Sequence, residues 1–280
     1  MLIFDLNQVA IANLMEQIGP TNEPVDISLV RHMMLNTIRA NIKKFRGYGE
    51  VILACDNKKY WRTEVFQHYK ATRKKNRKDS GYDWNSIFYC MNTVRDEFKE
   101  FAPYKVIDVH NAEADDVIAI LTKMASSKEK VMILSRDKDF VQLQTNPNVS
   151  QYSPITKQYI SADNPKAHLK ELIISGDKSD GIPNILSVDN SFVDGIRQKA
   201  LTQVKLNEMM FMDLDNDGPE ELRRNWSRNK QLIDFDYIPK SVSDDIISTY
   251  ENTKPATKTK FTNYLIANRL SNLISVLDEF

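Results

Sequence analysis

Short apolar runs and helical periodicities alternate through the first half of the chain. Leu2-Ile-Phe4 and Val51-Ile-Leu-Ala-Cys55 read as strands, and each ends at an aspartate, Asp5 and Asp56. Between them Ile27, Val30, Met34, Ile38, Ile42 and Phe45 recur at helical spacing, and Gly47 supplies a stop. Val106-Ile-Asp-Val109, a helix from about Glu113 to Ser127, and Val131-Met-Ile-Leu134 repeat the alternation. This order predicts an α/β fold, a mainly parallel sheet flanked by helices. After Asp163 short helical stretches alternate with breakers such as Gly176, Gly181, Pro183, Gly195, Pro219 and Pro239, without a strand signal. The expected organisation is therefore an α/β domain over residues 1–163 and an all-helical domain over residues 164–280.

Composition agrees with a folded chain. Of 280 residues 41% are hydrophobic and 27% charged, enough to bury a core. The longest uncharged run, Phe140 to Thr156, is 17 residues of mostly Gln, Asn, Ser, Thr and Pro, which excludes it as a membrane span. The N-terminus lacks a basic segment ahead of its apolar run, so a secretory leader is not expected. Two cysteines, Cys55 and Cys90, make neither a disulfide framework nor a metal knuckle, and the cytoplasm is the simplest compartment.

Net charge is zero, yet its distribution is uneven. Between Lys58 and Lys78 nine basic residues face one acid, Glu64, so this window carries +8 and the remainder −8. Tyr60, Trp61, Phe66 and Tyr69 lie among the cations, a mixture suited to phosphates and unpaired bases. Arg62, Phe66, Tyr69 and Arg73 fall at i, i+4, i+7 and i+11, one side of a helix, with Lys70 beside them.

In open α/β sheets ligands sit beyond the carboxyl ends of the strands. Asp5, Asp56, Asp137 and Asp139 all follow apolar runs and project to that edge. Glu113 and Asp115 open a predicted helix, and Asp177 and Asp180 sit in a loop bounded by Gly176 and Pro183. So many carboxylates together raise one another's pKa values and destabilise a fold unless cations join them. Mg²⁺ or Mn²⁺ suits such all-oxygen sites, and a pair of ions about 3.5–4 Å apart serves phosphodiester hydrolysis.

These motifs, Phe4-Asp5-Leu-Asn7, Cys55-Asp56-Asn57, Glu113-Ala-Asp115-Asp116, Ser135-Arg-Asp137-Lys-Asp139-Phe140 and Gly176-Asp177-Lys-Ser-Asp180, resemble in order and spacing those of the 5′-nuclease superfamily. Tyr60-Trp-Arg62 through Tyr69-Lys70, and Leu232-Ile-Asp-Phe-Asp-Tyr-Ile-Pro239, resemble in particular the ribonucleases H of T-even bacteriophages. The resemblance implies a PIN-like, Rossmann-like nuclease core with a helical arch at about residues 57–100 and a helical hairpin in a duplex-binding second domain. It implies two Mg²⁺ ions, with Mn²⁺ able to substitute. Asp5, Asp56, Asp115 and Asp137 surround the first, with Glu113 beside them, and Asp139, Asp177 and Asp180 serve the second.

By the same resemblance Tyr69 stacks on the 5′ strand, and Lys70 and Arg73 act on the scissile phosphate as catalytic residues. Arg62, Lys74, Lys75 and Arg77 are further nucleic-acid contacts, with Lys199 and Lys205 on the duplex. The implied substrates are flaps, nicks, DNA and RNA–DNA duplexes, and the implied role is removal of RNA primers and flaps in phage replication. A sliding clamp and a single-stranded-DNA-binding protein are the partners it suggests, the chain itself acting as a monomer. Asn184 to Phe192 lacks the second glycine-rich turn usual in the family, so the family's monovalent cation has no assigned residues here.

Two rivals stand beside this reading. A haloacid-dehalogenase-type phosphatase also begins with a strand and an aspartate, but Asn7 occupies the place of its general acid. A DNA-binding protein without catalysis needs the basic segment but none of the acids. Asp213-Leu-Asp215-Asn-Asp217-Gly218 imitates an EF-hand start, but Arg224 stands where a bidentate glutamate is required.

Overall fold

The computed structural model describes residues 1–19 and 23–280. Six strands form one sheet: β1 (Leu2–Asp5), β2 (Val51–Ala54), β3 (Lys105–Ile107), β4 (Val131–Leu134), β5 (Val149–Ser153) and β6 (Gln158–Ile160). Their order is β3-β2-β1-β4-β5-β6, parallel except for the β5–β6 pair. The α/β fold expected from the sequence is the one observed. The run Leu2–Asp5 is buried throughout because both sheet faces are covered, as parallel sheets require. Leu2 and Phe4 enter one core, and Met1 and Ile3 enter the other.

The first core lies under α1 (Leu6–Ile18), α2 (Ile27–Lys44) and the helix Trp84–Phe101, and the second under the helix Ala114–Ala125. Asp26 caps α2 by accepting the Ser28 N–H at 2.9 Å. The basic segment holds two short helices, α3 (Arg62–Val65) and α4 (Arg73–Lys78), before α5 (Trp84–Phe101). After β3 comes α6 (Ala114–Ala125), and after β4 a 3-10 helix, Lys138–Thr145.

Helices then follow without further strands: α7 (Pro165–Ser175), α8 (Gln203–Phe211), α9 (Glu220–Ile233), α10 (Lys240–Asn252), α11 (Lys258–Ala267) and α12 (Ser271–Ile274). A third core joins Ile173, Ile174, Leu206, Trp226 and Leu232 of this helical part to Phe66 and Tyr69 of the basic segment. Residues 177–202 run through turns. Helices α10 to α12 return to the sheet layers, with Ile246 in the α6 core and Phe261 and Leu265 in the α5 core. Among the described residues no helix is long and apolar enough to cross a membrane.

The order of strands reverses between β1 and β4, and the crevice outside that switch point is where open α/β sheets bind ligands.

Candidate active site

Asp5 ends β1 and turns the chain into α1, its carboxylate accepting the Gln8 N–H at 3.2 Å and the Ser135 hydroxyl at 2.9 Å. Ser135 follows β4, and its hydroxyl also accepts the Asp137 N–H at 3.0 Å, so one serine ties the β1 and β4 ends together. Gln151 on β5 donates to the Ser135 carbonyl at 3.0 Å and fixes the same turn. Asp56, just past β2, accepts from Asn7 at 3.0 Å and from the Ala114 N–H at 2.9 Å, which joins it to the first turn of α6. These supporting residues, Gln8, Ser135 and Gln151, carry no signal in the sequence beyond their place near the acids.

Asp5, Asp56, Asp115 and Asp137 line one cavity of about 600 Å³ together with Lys70 and Arg73. Asp139, Asp177 and Asp180 do not line it, but Asp177 and Asp180 lie close enough to Asp137 and Asp139 to raise both. Burial, and then the charges of Asp56 and Asp137, push the Asp5 carboxyl up to about 7. Burial and the neighbouring Asp137 raise Asp115 and Asp139, and burial with Asp180 and Asp177 raises Asp137. Two acids go the other way. Burial opposes their charge, but Lys70 and Arg62 hold Glu113 below the usual carboxylate range, and Lys70 and Arg73 do the same for Asp180.

The cations are interlocked with those two acids. Glu113 pairs with Lys70, accepts from Arg62 Nη1 at 2.8 Å and accepts from the Tyr69 hydroxyl at 3.0 Å. Asp180 binds Arg73 at 2.5 Å, and the Tyr69 oxygen lies 2.9 Å from its other carboxylate oxygen. Lys70 has φ 55°, a left-handed backbone uncommon for a lysine, and its N–H donates to the Asp180 carbonyl at 2.7 Å. Gly181 lets this approach happen, since a Cβ there would lie 3.0 Å from the His68 carbonyl oxygen.

A second cavity of about 380 Å³ shares Asn7, Asp56, Lys70 and Arg73 with the first. Its walls carry Lys58, Lys74, Arg77 and Arg95 beside Tyr60 and Phe88. Arg77 stacks over Phe88 at 4.7 Å, and burial and nearby Arg73 lower its pKa. The result is an acidic cavity and a basic one meeting at Lys70 and Arg73.

The structure departs from the sequence reading in the basic segment. The single helical face expected for Arg62, Phe66, Tyr69 and Arg73 does not form, because the chain becomes extended at Phe66 and resumes a helix only at Arg73. Arg62 and Tyr69, expected on nucleic acid, are buried instead, at 2% and 5% exposure. Lys74 and Lys75 are exposed on α4, and Lys199 and Lys205 are exposed in the helical part, away from these cavities. The loop between α8 and α9 spends Asp215 on Trp226 and Lys230, as a connecting loop and not a calcium site.

Does the donor set suit a metal? All its candidate donors are carboxylate oxygens, and burial together with neighbouring carboxylates raises four of them, so a hard divalent cation fits the chemistry. Among the described residues no three acidic, histidine or cysteine side chains close on one point as they stand.

Comparison with known proteins gives consistent findings. Residues 16–171 match the family described as the 5′-3′ exonuclease, N-terminal resolvase-like domain, and residues 163–280 match T4 RNase H, C terminal. Ribonuclease H of Enterobacteria phage T4 is 32% identical over 99% of this chain and 95% of its own length. A 5′-3′ exonuclease of Buchnera aphidicola (Schizaphis graminum) is 30% identical over 54% of this chain, which spans about half of that relative. The bacteriophage T5 D15 flap endonuclease, solved in a complex with DNA and metal ions, superposes with a TM-score of 0.63. That match covers 90% of this chain and 99% of the other at 18% identity, and shows a shared fold.

Proposed function

The chain belongs to the 5′-3′ exonuclease family, and from that premise we propose that it is a divalent-metal-dependent 5′ nuclease acting on branched or nicked duplexes. It hydrolyses phosphodiester bonds near the 5′ end of an RNA or DNA strand and leaves a 5′-phosphate and a 3′-hydroxyl. The observation that carries the reading is the junction of the acidic and basic cavities at Lys70 and Arg73. An acidic cavity alone would repel a phosphodiester, and a basic one alone would only hold it.

Asp5, Asp56, Asp115 and Asp137 would hold one Mg²⁺, and Asp139, Asp177 and Asp180 a second, with Mn²⁺ able to replace either. Bound there, the ions supply a nucleophilic water at neutral pH and stabilise charge on the phosphate. The chain's own residues do the positioning. Lys74, Arg77 and Lys58 would attract the phosphates of the 5′ strand, and Tyr60 would offer it a face for bases. Lys70 and Arg73, at the border, bring the scissile phosphate against the acids and offset its developing charge. Lys199 and Lys205, both exposed, would hold the duplex backbone. The same chemistry suits removal of RNA primers and flaps in phage lagging-strand replication.

The test is cleavage of a labelled 5′ flap and a matching nicked duplex, in Mg²⁺ or EDTA, with 3′-labelled versions alongside. Mg²⁺-dependent release of short fragments from the 5′ side alone is expected. Binding without cleavage in Mg²⁺, or release from the 3′ end, contradicts the proposal.

A further inference from the structure

The guanidinium of Arg62 is enclosed, 3% exposed, and forms a three-way junction. Its Nε donates to the Leu232 carbonyl of α9 at 2.8 Å, and its Nη1 donates to Glu113 at 2.8 Å. Its Nη2 lies 2.8 Å from Asp116 Oδ1, and its plane rests on the Trp61 ring at 4.6 Å. Trp61 in turn donates its indole N–H to Asp116 Oδ2 at 3.2 Å.

Glu113 and Asp116 are the N-cap and third residue of α6, and the Glu113 N–H donates to Asp116 at 2.9 Å. Asp115 lies between them, and successive helical residues turn by about 100°. With Glu113 and Asp116 held on the Arg62 side, Asp115 lines the acidic cavity. The same turn is tied to a second cavity acid, since the Ala114 N–H donates to Asp56 at 2.9 Å.

We infer that Arg62 is a positioning residue: its fork clamps the first turn of α6 to α9 and so sets where Asp115 and Asp56 stand in the cavity. This inference rests on the proposed reading of that cavity as a divalent-cation site. Two hydrogen-bonded acceptors and one ion-paired carboxylate, on two elements, match a planar fork, and a lysine, with one point charge, cannot meet all three. Groups that hold a ligand from behind change metal affinity or activity by about 10–100-fold when altered.

Two variants test it. Arg62→Lys keeps the charge and loses the fork, and Asp116→Asn loosens the clamp from the other side. For each, Mn²⁺ affinity is measured by calorimetry on the DNA-free protein, flap affinity by anisotropy in Ca²⁺, and kcat in Mg²⁺, all well below the unfolding temperature. Expected are Mn²⁺ binding weaker by about 10-fold or more and a matching fall in kcat, with flap affinity within about 2-fold of wild type. Should Arg62→Lys fail to fold, Asp116→Asn carries the same expectation. Lost flap affinity with Mn²⁺ binding intact would make Arg62 a nucleic-acid contact and overturn the inference. A lowered melting temperature with Mn²⁺ affinity and kcat unchanged would reduce it to packing, and overturn it equally. Wild-type protein that binds Mn²⁺ but cuts nothing would refute the nuclease reading alone, because the Mn²⁺ comparison stands without cleavage.

Discussion

The Asp5 carboxyl is at home neither in water nor in an apolar core. Its pKa of about 7, against 3.8 for an ordinary aspartate, means that the unfolded chain ionises first as pH rises. Stability is therefore full below about pH 4 for this group and is lost as pH rises toward 7, at up to about 1.4 kcal/mol per pH unit. Asp115, Asp137 and Asp139 act in the same direction. Glu113 and Asp180 act oppositely, but their contribution is lost only as pH falls through their depressed values, below the ordinary carboxylate range. In EDTA the melting temperature should fall between pH 5 and 8, and Mg²⁺ should flatten that slope. A melting temperature that is constant or rises over this range in EDTA would show that the acids are not in conflict. The places of the four cavity acids were legible, because Asp5, Asp56 and Asp137 follow apolar runs and Asp115 opens a helix. The sequence misled at Arg62 and Tyr69, since charge and ring type do not reveal that a buried glutamate will claim both.

Elements were legible where local pattern and final packing agree. The strand runs ending at Asp5 and Asp56 and the helices near Ile27 and Glu113 appear as β1, β2, α2 and α6. The basic segment broke its helical pattern because tertiary contacts overrode spacing: Phe66 and Tyr69 are drawn into the core of the helical part, and Lys70 is held to the Asp180 loop. Strands β5 and β6 escaped notice because Val149–Ser153 contains Ser and Gln, and Gln158–Ile160 is largely exposed. Gly176 shows what a loop can demand of one residue. Its φ is 69°, and a Cβ there would fall 2.3 Å from the Ile182 carbonyl oxygen and 2.5 Å from that of Pro183. Gly176→Ala should displace the loop bearing Asp177 and Asp180, lowering stability by at least about 1 kcal/mol and nuclease activity by about 10²-fold. Wild-type activity and melting temperature in that variant would show that the loop does not depend on this turn.

Over the whole molecule, zero net charge conceals a division of labour. The +8 window between Lys58 and Lys78 borders the acids instead of lying on a remote face, and the two signs meet at Lys70 and Arg73. The parallel sheet supplies Asp5 and Asp137 at its switch point, while α9 is tied to α7 through Asn229 and, through Leu232, holds Arg62. The helical residues after Asp163 were legible as helical, but their periodicity does not say that α10 to α12 fold back onto the sheet layers. The central claim is that the carboxylate cavity is the divalent-cation centre of 5′ hydrolysis. Its most direct test is the cleavage rate of a labelled 5′ flap across a Mg²⁺ titration, for wild type and Asp115→Asn. A saturable rise is expected in wild type, none in EDTA, and a rate lower by about 10²-fold or more in the variant with flap binding retained. Equal cleavage by Asp115→Asn, or cleavage by wild type that does not depend on the ion, would contradict the claim.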